Sequence, residues 1–159
     1  MEMNLTMNNR FIYETLIGKL LIEDNGIAIT KVYLVEDVHN ENITEETELI
    51  KEAKKQINEY FQGERIAFDL PLAPEGTDFQ KKVWNELIKI PYGETRTYGQ
   101  IAKYIGNGKA SRAVGMANNK NPIMIIIPCH RVIGANGKLV GYSEGVHIKE
   151  KLLNIEKSS

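Results

Sequence analysis

A chain of 159 residues allows one ordinary domain or two small ones, and 42% apolar with 26% charged residues describes a packed core rather than a disordered or fibrous chain. The single cysteine, Cys129, excludes an internal disulfide and any zinc site that needs more than one thiolate, and it fits a reducing compartment. The net charge of −1 conceals an asymmetry: residues 1–76 carry 7 basic against 15 acidic side chains, and residues 77–143 carry 10 against 3. A basic segment beside an acidic one suits a polyanionic partner. No leader-like start is visible, and the longest apolar run, Ile123 to Pro128, is too short to span a membrane. The cytoplasm is the expected compartment, or the nucleus in a eukaryotic source.

In chain order, Phe11 to Glu23 and Ile27 to Val35 are rich in β-branched residues and flank Asp24-Asn25-Gly26, which predicts a hairpin. Helical spacing follows from Thr44 to Phe61, with Leu49, Ile50, Ala53, Ile57, Tyr60 and Phe61 on one face and Gly63 at its end. Arg65 to Leu70 is expected to return as a strand. This first half is read as a small sheet with one covering helix and no catalytic cluster. Leu70-Pro71-Leu72-Ala73-Pro74-Glu75-Gly76 has no periodicity and marks a linker where the charge changes sign. The expected division is 1–76, a supporting domain, and 77–159, which carries the chemistry. The fold class is α+β, a small α/β-like amino-terminal sheet followed by a mostly helical domain.

Beyond the linker, Thr77-Asp78-Phe79-Gln80 is a capping-box pattern, and Phe79, Val83, Trp84, Leu87 and Ile88 share a face until Ile90-Pro91-Tyr92-Gly93 stops the helix. Thr97-Tyr98-Gly99-Gln100 is a second capping box and opens a short helix through Ile105. Gly106-Asn107-Gly108 turns the chain into a third helix from about Lys109 to Asn118. Two short helices about a glycine turn form a helix-turn-helix pattern. In the third helix Ala110, Ser111, Ala113, Gly115 and Ala117 are small, and Arg112 stands alone among them. Small side chains serve tight helix packing, and equally a minor groove about 6 Å wide.

Five apolar residues, Ile123 to Ile127, then deliver Pro128-Cys129-His130-Arg131-Val132. A thiol beside an imidazole is a nucleophile–base pair, since only the thiolate attacks well. Alternatively, Cys129 is a buried small hydrophobe. His39 and His147 both read as surface residues.

The run Pro128-Cys129-His130-Arg131-Val132, with Arg112-Ala113-Val114-Gly115, Ala117-Asn118, Asn121-Pro122, Gly141-Tyr142-Ser143 and Glu156, resembles the methylated-DNA–protein-cysteine methyltransferases, or O6-alkylguanine-DNA alkyltransferases. The resemblance covers most of residues 77–156. It implies a ribonuclease-H-like amino-terminal domain and irreversible, single-turnover transfer of an alkyl group from O6-alkylguanine in double-stranded DNA to Cys129. Methyl is the preferred group, and O4-alkylthymine is a further candidate substrate. His130 would act as base through a water, Glu156 would orient His130, and Asn121 would order the turn beside Cys129. Arg131 would make a structural ion pair. Tyr98, Tyr142 and the backbone N–H groups of Val132 and Ser143 would hold the base. The target base would be flipped out of the duplex, with Arg112 filling its place and Ala110, Ala113 and Gly115 facing the minor groove. No cofactor and no metal is implied, and a monomer is expected. Glu144 and Met124 depart from the small residues usual in relatives, which implies poorer handling of large adducts. The competing readings are a non-enzymatic helix-turn-helix regulator, for which Cys129, His130 and Glu156 have no purpose, and a cysteine hydrolase, for which no second histidine motif exists.

Overall fold

In the computed structural model, which describes residues 8–139, 142 and 144–157, β1 (Asn9–Thr15), β2 (Gly18–Asp24) and β3 (Ile29–Val35) form an antiparallel sheet in the order β1-β2-β3. The expected hairpin is therefore a three-stranded meander: Phe11 to Glu23 is two strands, not one. Leu16 and Ile17 make the unforeseen turn, with Arg10 paired to Glu23 and Thr15 to Gly18. The turn lacks Asn, Asp and Pro. It is closed instead by the Thr15 hydroxyl, which donates to the Gly18 carbonyl at 2.7 Å, and by the left-handed φ of +127° that Gly18 tolerates. The second turn is the one predicted: Asn25 Oδ1 accepts from the N–H groups of Ile27 and Ala28.

Helix α1 (Glu48–Phe61) begins four residues later than Thr44, because the Thr47 hydroxyl accepts from the Ile50 N–H at 3.1 Å and caps it. It buries Ile50, Ala53, Ile57 and Tyr60, and it packs on β2, whose Leu20, Leu21 and Ile22 are also buried. Each buried Leu or Ile side chain contributes about 1.5–3 kcal/mol relative to exposure. Residues 65–70 do not form the expected strand. The Gln56 side chain takes both backbone groups of Asp69, at 2.9 and 3.1 Å. Pairing is confined to one bridge farther on, where Ile29 donates to Pro71 and accepts from Ala73. Pro71 and Pro74 have no N–H with which to extend it.

The chain divides into two compact units, Met1–Pro74 and Glu75–Ser159. In the second, α2 (Asp78–Ile88) and α3 (Tyr98–Tyr104) both begin with complete capping boxes at Thr77 and Thr97. Helix α4 (Ser111–Asn119) packs on both. Trp84 of α2 is buried, and its indole N–H donates to the Ala117 carbonyl at 2.9 Å, which locks α4 to α2. Two short strands, β4 (Arg96–Thr97) and β5 (Val132–Ile133), pair in parallel, and α5 (Val146–Lys157) closes the unit. The whole is an α+β fold. Among the described residues no helix is long and apolar enough to cross a membrane.

Candidate active site

Ile123 to Ile127 are buried, but as successive turns rather than an extended run. Ile127 donates to the Ile123 carbonyl at 3.0 Å, Ile126 to Met124 at 2.8 Å and Cys129 to Ile127 at 2.8 Å. Ile125 adopts φ +73°, a left-handed conformation that β-branched side chains resist, at a cost on the order of 1–3 kcal/mol. Asn121 holds this shape. Its Oδ1 accepts from the Ile123 N–H at 3.0 Å, and its Nδ2 donates to the carbonyls of Ile127 at 2.8 Å and Ile123 at 3.3 Å.

The turns end in a 3-10 turn, Cys129–Arg131, where adjacent side chains no longer alternate as in a strand. The Cys129 carbonyl accepts from Asn118 Nδ2 at 3.3 Å and from the Val132 N–H. The Val132 N–H, expected to meet a guanine oxygen, is thus engaged within the 3-10 turn. Val132 itself is fully buried at the site.

Three side chains converge on α5. Glu156 Oε2 lies 2.6 Å from His130 Nε2, and the Arg131 fork reaches Glu156 at 2.9 Å through Nε and 3.1 Å through Nη2. The Gly93 N–H adds a fourth contact at 3.0 Å, and Arg131 Nη1 donates to the Ile90 carbonyl at 2.7 Å. All three side chains are buried. A carboxylate held by a guanidinium fork is ionised and can only accept. His130 therefore carries its proton on Nε2, which makes Nδ1 the basic nitrogen. Burial holds His130 below the ordinary imidazole range, partly opposed by Glu156, so it is neutral near pH 7.

Tyr98 reaches the site through the β4–β5 pairing: Thr97 lies beside Ile133, and Tyr98 is the next residue. Burial, and then the neighbouring Cys129, raise its pKa, which keeps the phenol protonated as a donor. Tyr142 is buried, and Asn121 and Tyr142 both favour the ionised form of Cys129. Burial nevertheless dominates and pushes the Cys129 thiol up to about 11. Ser143 and Gly141 lie outside the described residues.

The sequence reading missed Lys149. It is fully buried, with Nζ 5.9 Å from the Tyr98 ring centroid and 5.7 Å from that of Tyr142. These are cation–π distances. Burial lowers its pKa to about 8, and it is electrostatically coupled to Cys129. The signal was available: Lys149, Leu152, Leu153 and Glu156 fall at i, i+3, i+4 and i+7, so a lysine occupies a core position of α5. Asn118 was likewise legible, sharing the buried stripe of α4 with Val114 and Ala117.

Helix α4 turns Arg112, Ala113 and Met116 to solvent, with Ala110 and Gly115 half-buried. It begins at Ser111 rather than Lys109, and Ala110 is its N-cap without a capping side chain. His39 and His147 are exposed. Among the described residues no group of three His, Cys, Asp or Glu side chains could hold a metal ion.

Two family models match the chain: 6-O-methylguanine DNA methyltransferase, ribonuclease-like domain, over residues 10–74, and 6-O-methylguanine DNA methyltransferase, DNA binding domain, over residues 78–158. The chain belongs to the 6-O-methylguanine DNA methyltransferase family. A methylated-DNA–protein-cysteine methyltransferase of Methanosarcina acetivorans is 55% identical over 151 residues, 92% of this chain and 97% of the relative. The constitutive methylated-DNA–protein-cysteine methyltransferase of Bacillus subtilis is 46% identical over 162 residues, 96% of this chain and 98% of the relative. The crystal structure of Mycobacterium tuberculosis OGT in complex with DNA superposes with a TM-score of 0.87 at 47% identity, covering 94% of this chain and 93% of that one. The 6-O-methylguanine DNA methyltransferase family thus accounts for both compact units and for the cysteine that the second one buries.

Proposed function

We propose that this chain repairs DNA by direct damage reversal, moving the alkyl group of O6-alkylguanine onto Cys129. The observation that carries this reading is the buried His130–Glu156–Arg131 assembly next to the single thiol. The Cys129 proton passes through a water to His130 Nδ1. The sulfur attacks the alkyl carbon in line, the carbon–O6 bond breaks, and its electron pair stays on the guanine. The Tyr98 hydroxyl donates to a ring nitrogen of the departing guanine and stabilises that charge. Lys149 supports the thiolate from the pocket wall, as its coupling to Cys129 indicates. The product is a thioether, which nothing in this chemistry reverses, so each molecule acts once and no cofactor or metal takes part.

Inside a duplex the alkyl carbon is out of reach of Cys129, so the base must flip, at a cost of a few kcal/mol. We assign α3 and α4 to a helix-turn-helix that lays α4 in the minor groove. Arg112 fills the vacated stack, Ala110, Ala113 and Gly115 allow close approach, and exposed lysines hold phosphates. Tyr142 lines the base pocket, and the Ser143 N–H is assigned as a donor to the guanine oxygen. Residues 77–159 are the DNA-binding and alkyl-acceptor domain, and 1–76 support it. The protein works as a cytoplasmic monomer on double-stranded DNA, with methyl the preferred group and O4-alkylthymine a candidate second substrate. A purely DNA-binding regulator would leave the buried histidine and carboxylate without a task. Single-turnover transfer from a duplex containing O6-methylguanine, compared between the wild type and Cys129→Ser, tests the reading.

A further inference from the structure

Packing fixes which side of α4 faces outward. Val114, Ala117 and Asn118 are buried, and the Trp84 indole bonds to the Ala117 carbonyl. The opposite stripe, Arg112, Met116 and Lys120, recurs every fourth residue and is exposed. Met116 is 65% exposed, the one large apolar side chain on a face otherwise made of small residues and cations. A single exposed apolar residue is ordinary on a protein surface. On a helix that must enter a groove about 6 Å wide it is not neutral: it either obstructs docking or penetrates.

We propose that Met116 is an apolar wedge, pressed into a base step of the minor groove about two steps from the stack that Arg112 enters. This rests on the repair reading above. Four helical residues advance about 6 Å, and base pairs rise about 3.4 Å, so Met116 meets the duplex about two steps from the extruded nucleotide. An unbranched thioether with three rotatable bonds follows the contour of a partly opened step, and methionine is among the side chains that serve as such wedges. Arg112 and Lys120 flank it on the same stripe, and Lys120 supplies the phosphate attraction that brings the step into reach. Unstacking a second step also eases extrusion of the damaged base.

The test compares the full-length wild type with Met116→Ala and Met116→Leu on duplexes that carry O6-methylguanine and a 2-aminopurine two pairs away on either side. Bound to the wild type, one of the two positions brightens as its base unstacks. Met116→Ala loses that signal, and its ratio of duplex rate to rate on the free O6-methylguanine nucleobase falls about tenfold, while Met116→Leu retains both. All three melt alike, because the side chain is exposed. A Met116→Ala variant that brightens 2-aminopurine and reacts with duplex like the wild type overturns the wedge, as does a loss of affinity with the signal intact. A wild type that gains no alkyl group defeats the repair reading itself. A wild type that gains it, matched by Met116→Ala, defeats the wedge alone.

Discussion

His130 and Glu156 meet through a 2.6 Å contact between Nε2 and Oε2, and the same carboxylate grips Arg131 through two further bonds. One group thus sets the tautomer of the base and neutralises a buried guanidinium. The two duties separate by mutation. In Glu156→Gln, Arg131 keeps a buried charge without its counterion, so the protein loses about 3–5 kcal/mol of stability, and transfer slows at least about a hundredfold. In His130→Gln the Arg131 pair survives, so the rate falls comparably while the melting temperature holds. Urea melts and single-turnover kinetics decide, and a wild-type rate in either variant contradicts the assignment.

Lys149 and Cys129 predict a pH profile. The thiol stands at about 11 and the ammonium at about 8. Below its pKa the thiolate fraction rises tenfold per unit, so iodoacetamide labelling of Cys129 accelerates steeply from pH 6 to 8. A nearby cation lowers a thiol pKa, and removing it raises that pKa. Lys149→Met therefore labels about three- to tenfold more slowly below pH 8. Above that pH the wild-type lysine has itself lost its charge and the two profiles converge. Parallel profiles at every pH would remove Lys149 from the account.

Gly115 separates a packing role from a DNA-facing one. A Cβ added there would meet the Tyr98 ring at 3.8 Å, ordinary contact, so the fold does not require glycine. Gly115→Ala should stabilise the protein by about 0.5–1 kcal/mol through helix propensity yet weaken binding to duplex DNA. A stabilised variant with unchanged affinity would take Gly115 off the DNA face.

Glu144 opposes ionisation of Cys129. Glu144→Gly should raise the benzyl-to-methyl rate ratio by giving a large adduct room and removing that charge. An unchanged ratio shows that Glu144 does not set adduct size.

Strong local signals made much of this molecule readable in its sequence. Thr77 and Thr97 each announce a helix through a reciprocal pair of side-chain bonds, and both boxes are complete. The Cys129–His130 pair and Glu156 were legible from the motif, although the bond between His130 and Glu156 spans 26 residues and needs the fold to form. What escaped depends on distant partners. The Leu16-Ile17 turn has no turn-forming residue and is closed by Thr15 and Gly18. Residues 65–70 look extended, but the Gln56 side chain takes the backbone groups of Asp69 that a ladder would have used. The bond from the Val132 N–H to the Cys129 carbonyl depends on the 3-10 turn and is not visible in the sequence. Lys149 reads as one more surface lysine unless the helical period is followed through it.

The most direct measurement of the central claim is the intact mass of the protein after incubation with an equimolar duplex carrying O6-methylguanine. The account predicts that the wild type gains the mass of one methylene, mapped by peptide analysis to Cys129, with guanine restored in the DNA and no further turnover on added substrate. An unchanged mass with the lesion intact, or a gain that persists in Cys129→Ser, would contradict it.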